Sequence, residues 1–99
     1  MMKYEYIITY GHKYKIDSFT GYVPLKLDHI EILNGKVYYH SKKTLRIETT
    51  LLYEVGQKIS IGGYPSGGKN FRLLEVSITN YPVLENAEII SRKEIENDN

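Results

Sequence analysis

The chain is expected to fold as an all-β domain, a small antiparallel barrel or sandwich of about six to seven short strands. Composition is the first reason. Ten residues are Tyr, and among 99 there is a single Ala, Ala87. Tyr suits a pleated, half-buried surface, whereas Ala is the strongest helix former. Periodicity is the second. Several segments repeat apolar residues every two positions, and none holds a helical period beyond a turn or two. Punctuation is the third. Gly, Pro and Asn clusters divide the chain into runs of strand length.

Residues 2–10 alternate well. Met2, Tyr4, Tyr6, Ile8 and Tyr10 share one face, and Lys3, Glu5, Ile7 and Thr9 the other. Gly11-His12 ends this strand, and Tyr14-Lys15-Ile16 returns as a short one. Residues 17–24 read as a loop, being rich in Ser, Thr, Gly and Pro. Residues 25–33 read as extended with a change of phase, which a bulge at Asp28-His29 would absorb. Asn34-Gly35 then predicts a hairpin with a type I′ turn, since this pair tolerates positive φ at both central positions. That register puts Ile32 opposite Val37, Ile30 opposite Tyr39, and all four in the core. Glu31, Leu33, Lys36 and Tyr38 then face water at least in part.

Ser41-Lys42-Lys43 reads as a polar turn. In residues 44–52, Leu45, Ile47, Thr49 and Leu51 point inward and Thr44, Arg46, Glu48 and Thr50 outward. Gly56 marks a turn, and residues 58–61 a strand with Ile59 and Ile61 inward. Residues 62–70 hold enough Gly to predict a long mobile loop. Residues 71–79 form a further strand with Leu74, Val76 and Ile78 in phase, Asn80-Tyr81-Pro82 turns, and residues 87–90 form an edge strand. The phrase Tyr53-Glu54-Val55-Gly56-Gln57-Lys58-Ile59, with the Gly-rich loop and strand after it, resembles turns of small SH3-like and OB-like barrels. Residues 1–90 are thus expected to be one β domain, and 91–99 a disordered polar tail.

The formal net charge is +1, which gives no strong global pull toward nucleic acid or anionic membrane. Residues 1–48 hold eight Lys/Arg and five Asp/Glu, and the remainder five and seven, so a basic face belongs to the first half. The absence of cysteine excludes disulfides and thiolate metal sites. No apolar run approaches the roughly 20 residues of a membrane helix. The first residues are too polar for a signal peptide, and a cytoplasmic setting, in its own cell or an infected host, is the expectation. Abundant Ile, Lys, Asn and Tyr with scarce Ala and Arg resemble the composition of small phage and archaeal-virus proteins.

Motifs for chemistry are weak. Gly63-Tyr64-Pro65-Ser66-Gly67-Gly68-Lys69 matches the form G-x-x-x-x-G-K. A phosphate loop, however, needs Ser or Thr next and a helix after it. Asn70 and a strand follow instead, so a hairpin loop is the better reading. His29 and His40 would fall opposite each other in the expected hairpin, near Glu31, as a weak candidate metal set. No Ser lies in a nucleophile-elbow context. Neither a cofactor nor an enzymatic activity is expected.

The densest functional signal is Lys36-Val37-Tyr38-Tyr39-His40-Ser41-Lys42-Lys43. It interleaves rings that stack on bases with cations that neutralise phosphates, as small barrels do when they hold single-stranded nucleic acid. Lys36, Tyr38, Lys42, Lys43 and nearby Arg46 are the expected binding residues. Lys13, Tyr14 and Lys15 could extend the surface. The alternative is a protein-binding module that uses its Tyr-rich surface and a sheet edge, on a host factor or on a second copy as a homodimer.

Overall fold

The computed structural model describes residues 2–11, 13–84 and 86–96. It is all-β, with eight strands in chain order: β1 (Met2–Tyr10), β2 (Lys15–Ile16), β3 (Val23–Leu27), β4 (Glu31–Tyr39), β5 (Thr44–Thr49), β6 (Ile59–Gly67), β7 (Asn70–Ile78) and β8 (Ala87–Glu96). Among the described residues no helix is long and apolar enough to cross a membrane.

The strands lie side by side as β6-β7-β3-β4-β5-β1-β8. The sheet then closes. Gly56 N donates to Ile89 O at 2.8 Å, Ile89 N donates to Gln57 O at 3.0 Å, and Lys58 bridges Glu88. The chain entering β6 therefore meets β8, and the sheet becomes a barrel. Tyr6, Ile8, Tyr10, Leu25, Val37, Leu45, Ile47, Ile59, Val76 and Ile89 fill it and are fully buried. The inward faces of β1, β5 and β6 are those that period-two alternation predicts.

The sheet is mixed rather than purely antiparallel. β3 and β2 both run parallel to β7. Because β6 occupies the whole of one edge of β7, β2 and β3 must share the other, one after the other. β2 pairs with Asn70 and Phe71, and β3 with Val76, Ser77 and Ile78. Residues 72–75 have no strand beside them on that edge.

Asn34-Gly35 is not a turn. Both residues sit inside β4, which pairs with β3 on one side and β5 on the other. The chain reverses earlier, at Asp28-His29-Ile30, where Asp28 and His29 take φ of 50° and 62° and Ile30 N donates to Leu27 O at 3.0 Å. Asp tolerates this left-handed region through its short polar side chain. The apparent bulge at Asp28-His29 is thus the hairpin turn itself, and it explains the phase change from Leu25 to Ile32. Gly35 is small for a different reason. A Cβ there would lie 2.8 Å from Leu25 Cδ2 and 3.2 Å from Thr49 Cβ. Val37 is buried as expected, but Ile30 and Ile32 are 84% and 72% exposed, because the hairpin tip extends past the core.

Three further expectations change. Residues 62–70 belong mostly to a paired hairpin, in which Gly68-Lys69 connects Gly67 to Asn70. Gly68, with φ 56°, supplies the positive φ of a two-residue turn. Leu74 points outward and is 54% exposed. The ladder slips at that residue, pairing Gly62 with Glu75 but Gly63 with Leu73. This bulge moves the inward phase from Phe71 and Leu73 to Val76 and Ile78. Finally, residues 91–96, expected in the polar tail, continue β8 along β1. Backbone pairing holds them there, although their composition offers little to bury. Residues 97–99 of that expected tail lie outside the described residues.

Candidate nucleic-acid interface

The outer face of β4 and β5 carries three of the expected residues close together. Tyr38 pairs with Arg46 across the strands, and the Arg46 guanidinium carbon lies 4.5 Å from the Tyr38 ring centroid. Tyr22, immediately before β3, brings its ring to 6.1 Å from that of Tyr38 at 59°. Lys36 Nζ stands 4.7 Å from the centre of the Tyr22 ring. The result is a row, Lys36–Tyr22–Tyr38–Arg46, in which two cations flank two rings. Register explains it. Val23 pairs with Val37 and both point inward, so the residues beside them, Tyr22 and Tyr38, emerge together outside.

Tyr22 was placed in a loop by sequence. Its signal was the alternation Tyr22, Pro24, Lys26 outward against Val23, Leu25 inward, which the Ser, Thr and Gly just before it concealed.

Lys42 and Lys43 are exposed at the tip of the β4–β5 hairpin, beyond the row. The tip is held firmly. Ser41 N donates to Thr44 O at 3.1 Å, and Lys43 N donates to Ser41 Oγ at 3.3 Å. The Tyr10 hydroxyl donates to Lys42 O from inside the barrel. Burial pushes the Tyr10 phenol above its ordinary pKa, so it stays a neutral donor.

The cations are not equally available. Arg46 Nη1 lies 3.0 Å from Glu48 Oε2 and 3.7 Å from Glu5 Oε2, and Lys3 Nζ lies 3.7 Å from Glu48 Oε1. Arg46 is thus largely neutralised by its own sheet. Lys36, Lys42 and Lys43 form no ion pair among the described residues.

The tyrosines divide by role. Tyr6 and Tyr10 are core, and Tyr4, Tyr14, Tyr39 and Tyr53 pack against it. The surplus of Tyr is therefore largely structural. Tyr22 and Tyr38 are the pair that meets on the outer face.

The histidine set does not assemble. His29 lies in the β3–β4 turn and His40 beyond the other end of β4, with all nine residues of that strand between them. His40 Nδ1 is 2.7 Å from Thr44 Oγ1. His29 Nδ1 instead contacts Glu75 Oε1, while its backbone N donates to Ser77 Oγ at 2.8 Å. Ser77 Oγ in turn donates to Glu75 Oε2 at 2.9 Å. This cluster ties the β3–β4 turn to β7. The hydroxyl faces the carboxylate rather than the imidazole, so it is not a nucleophile–base pair. No group of three or more His, Asp or Glu suited to a metal occurs among the described residues.

The G-x-x-x-x-G-K segment lies on an antiparallel hairpin, with no helix N-terminus to face a phosphate. Compared with protein-family models, curated proteins and solved structures, the chain matches none.

Proposed function

We propose that the protein is a non-catalytic β-barrel binding module that holds single-stranded nucleic acid on the outer face of β4 and β5. The observation that carries this reading is the row Lys36–Tyr22–Tyr38–Arg46, continued by Lys42 and Lys43 at the hairpin tip. Exposed Tyr22 and half-buried Tyr38 offer stacking surfaces to bases of any sequence, and the lysines meet the backbone phosphates. Arg46 serves mainly to hold the Tyr38 ring, because two carboxylates already take its charge. The charge of +1 and the nearby Glu5 and Glu48 favour weak binding that yields readily to salt.

Fluorescence anisotropy with labelled dT and rU oligomers at low salt tests this. The unsubstituted chain binds both. Tyr38→Ala weakens binding by about 1–3 kcal/mol, and Lys42→Glu with Lys43→Glu weakens it further. Absence of binding at low salt, or binding indifferent to the double charge reversal, would remove the reading.

A second reading, docking on a protein partner or on a second copy, is favoured by one observation. Leu27, Ile30 and Ile32 are all exposed at the β3–β4 tip. Scattered apolar residues are ordinary on a surface, but three at one hairpin end make an apolar point.

A further inference from the structure

The gap that β2 and β3 leave along β7 opens into a cleft of about 530 Å³. Its walls are Ser18, Phe19, Thr20 and Tyr22 from the β2–β3 connection, and Arg72 and Leu73 from β7. The volume lies within the roughly 300–1,000 Å³ of small-molecule sites. Its lining residues include two aromatics, a Ser and a Thr, and one arginine.

Three features give the cleft a ligand chemistry. Tyr22 lines it and is also the second ring of the outer row, so the cleft and the row are continuous. Arg72 is exposed and has no carboxylate partner among the described residues, unlike Arg46 and Arg92. Tyr64, half exposed, pairs with Arg72 across β6 and β7, which puts a further ring next to Arg72 without lining the cleft. Rings beside an unneutralised guanidinium are what a base and its phosphate require.

We infer that this cleft continues the single-strand path: one nucleobase enters it beside Tyr22 and Phe19, and the adjoining phosphate pairs with Arg72. This rests on the single-strand reading above and extends it to a defined subsite. The bound strand then runs from the β4–β5 tip over Tyr38 and Tyr22 to Arg72. Specificity for bases over sugars or simple anions comes from the rings. The phosphate contact comes from a fork-shaped donor that suits its geometry.

The test is a titration of the isotope-labelled full chain with oligo-dT, followed by amide shifts. Affinity and its salt dependence are measured in parallel for Arg72→Gln and Arg72→Lys. The inference expects shifts at residues 18–22 and 72–73 together with β4 and β5. It also expects at least a fivefold loss of affinity in Arg72→Gln, a log–log salt slope shallower by about 0.7, and recovery of the slope in Arg72→Lys. Arg72 is exposed, so these variants should fold. Binding with shifts confined to β4 and β5, and with Arg72→Gln equal to the parent, would overturn the cleft and leave the single-strand reading standing. No binding by the parent chain at low salt would overturn both.

Discussion

Gly35 and Gly62 show how one residue type serves two ends. Each leaves room for a neighbour rather than turning the chain. A Cβ on Gly35 would press on Leu25 and Thr49, and one on Gly62 would lie 2.6 Å from Glu75 Cδ. Gly35→Ala should therefore cost about 1–3 kcal/mol by overpacking, measured by urea melts. At a type I′ turn the same change would instead cost through positive φ, and Gly35→Asn would be tolerated. Here Gly35→Asn should be at least as harmful as Gly35→Ala. Gly62→Ala should displace the Glu75 carboxylate from His29 and Ser77. An almost buried acid would lose partners, at a cost of about 1–3 kcal/mol. A Gly62→Ala chain as stable as the parent would show that Glu75 has another place to go.

At the scale of elements, the β3–β4 hairpin is where sequence pattern and structure part. Asn-Gly is the strongest short hairpin signal, yet β4 runs through it. A strand paired on both sides satisfies more backbone groups than an edge hairpin would, and the reversal falls where Asp28 and His29 accept positive φ. That preference is long-range, because it depends on where β5 and β7 stand, and local pattern does not encode it. The exposed tip follows. Ile32→Lys should change stability by no more than about 0.5 kcal/mol, whereas Val37→Ala should cost about 2 kcal/mol. The reverse order would restore the expected Asn-Gly hairpin. Other elements were plainly legible. β1 and β5 alternate without interruption, and their Tyr6, Ile8, Leu45 and Ile47 are core. The proposed site was half legible. Lys36, Tyr38 and Arg46 follow from density and parity. Tyr22 joins through the β3–β4 register, its alternation masked by the loop-like residues before it, and Arg72 through the parallel packing of β3 on β7, which no local signal announces.

For the whole molecule, buried phenols pin the barrel at its seams. The Tyr6 hydroxyl donates to Leu51 O at 2.8 Å and accepts from Tyr53 N at 2.8 Å, tying the chain after β5 to β1. Burial raises the pKa of Tyr6, Tyr10 and Tyr53 above the ordinary value of 10.0. The folded chain thus binds more protons than the unfolded one above that value. Stability from this source is intact below about pH 10 and falls as pH rises toward the folded pKa values. Urea midpoints should therefore hold up to about pH 10 and drop as the pH rises beyond it. Tyr6→Phe, weaker at neutral pH for its lost hydrogen bonds, should drop less steeply there. Equal slopes in parent and variant would mean that Tyr6 does not take part. Under the single-strand proposal the same barrel sets the path of the strand, because the outer faces of β4, β3 and β7 follow one another around it. Lys36, Lys42, Lys43 and Arg72 lie along that path with no acidic partner among the described residues. The salt dependence of oligo-dT binding counts such contacts most directly. About three or four of them predict a slope of log affinity against log salt between about −2 and −3 for a single strand. A slope near zero, or no binding at low salt, would contradict a nucleic-acid surface.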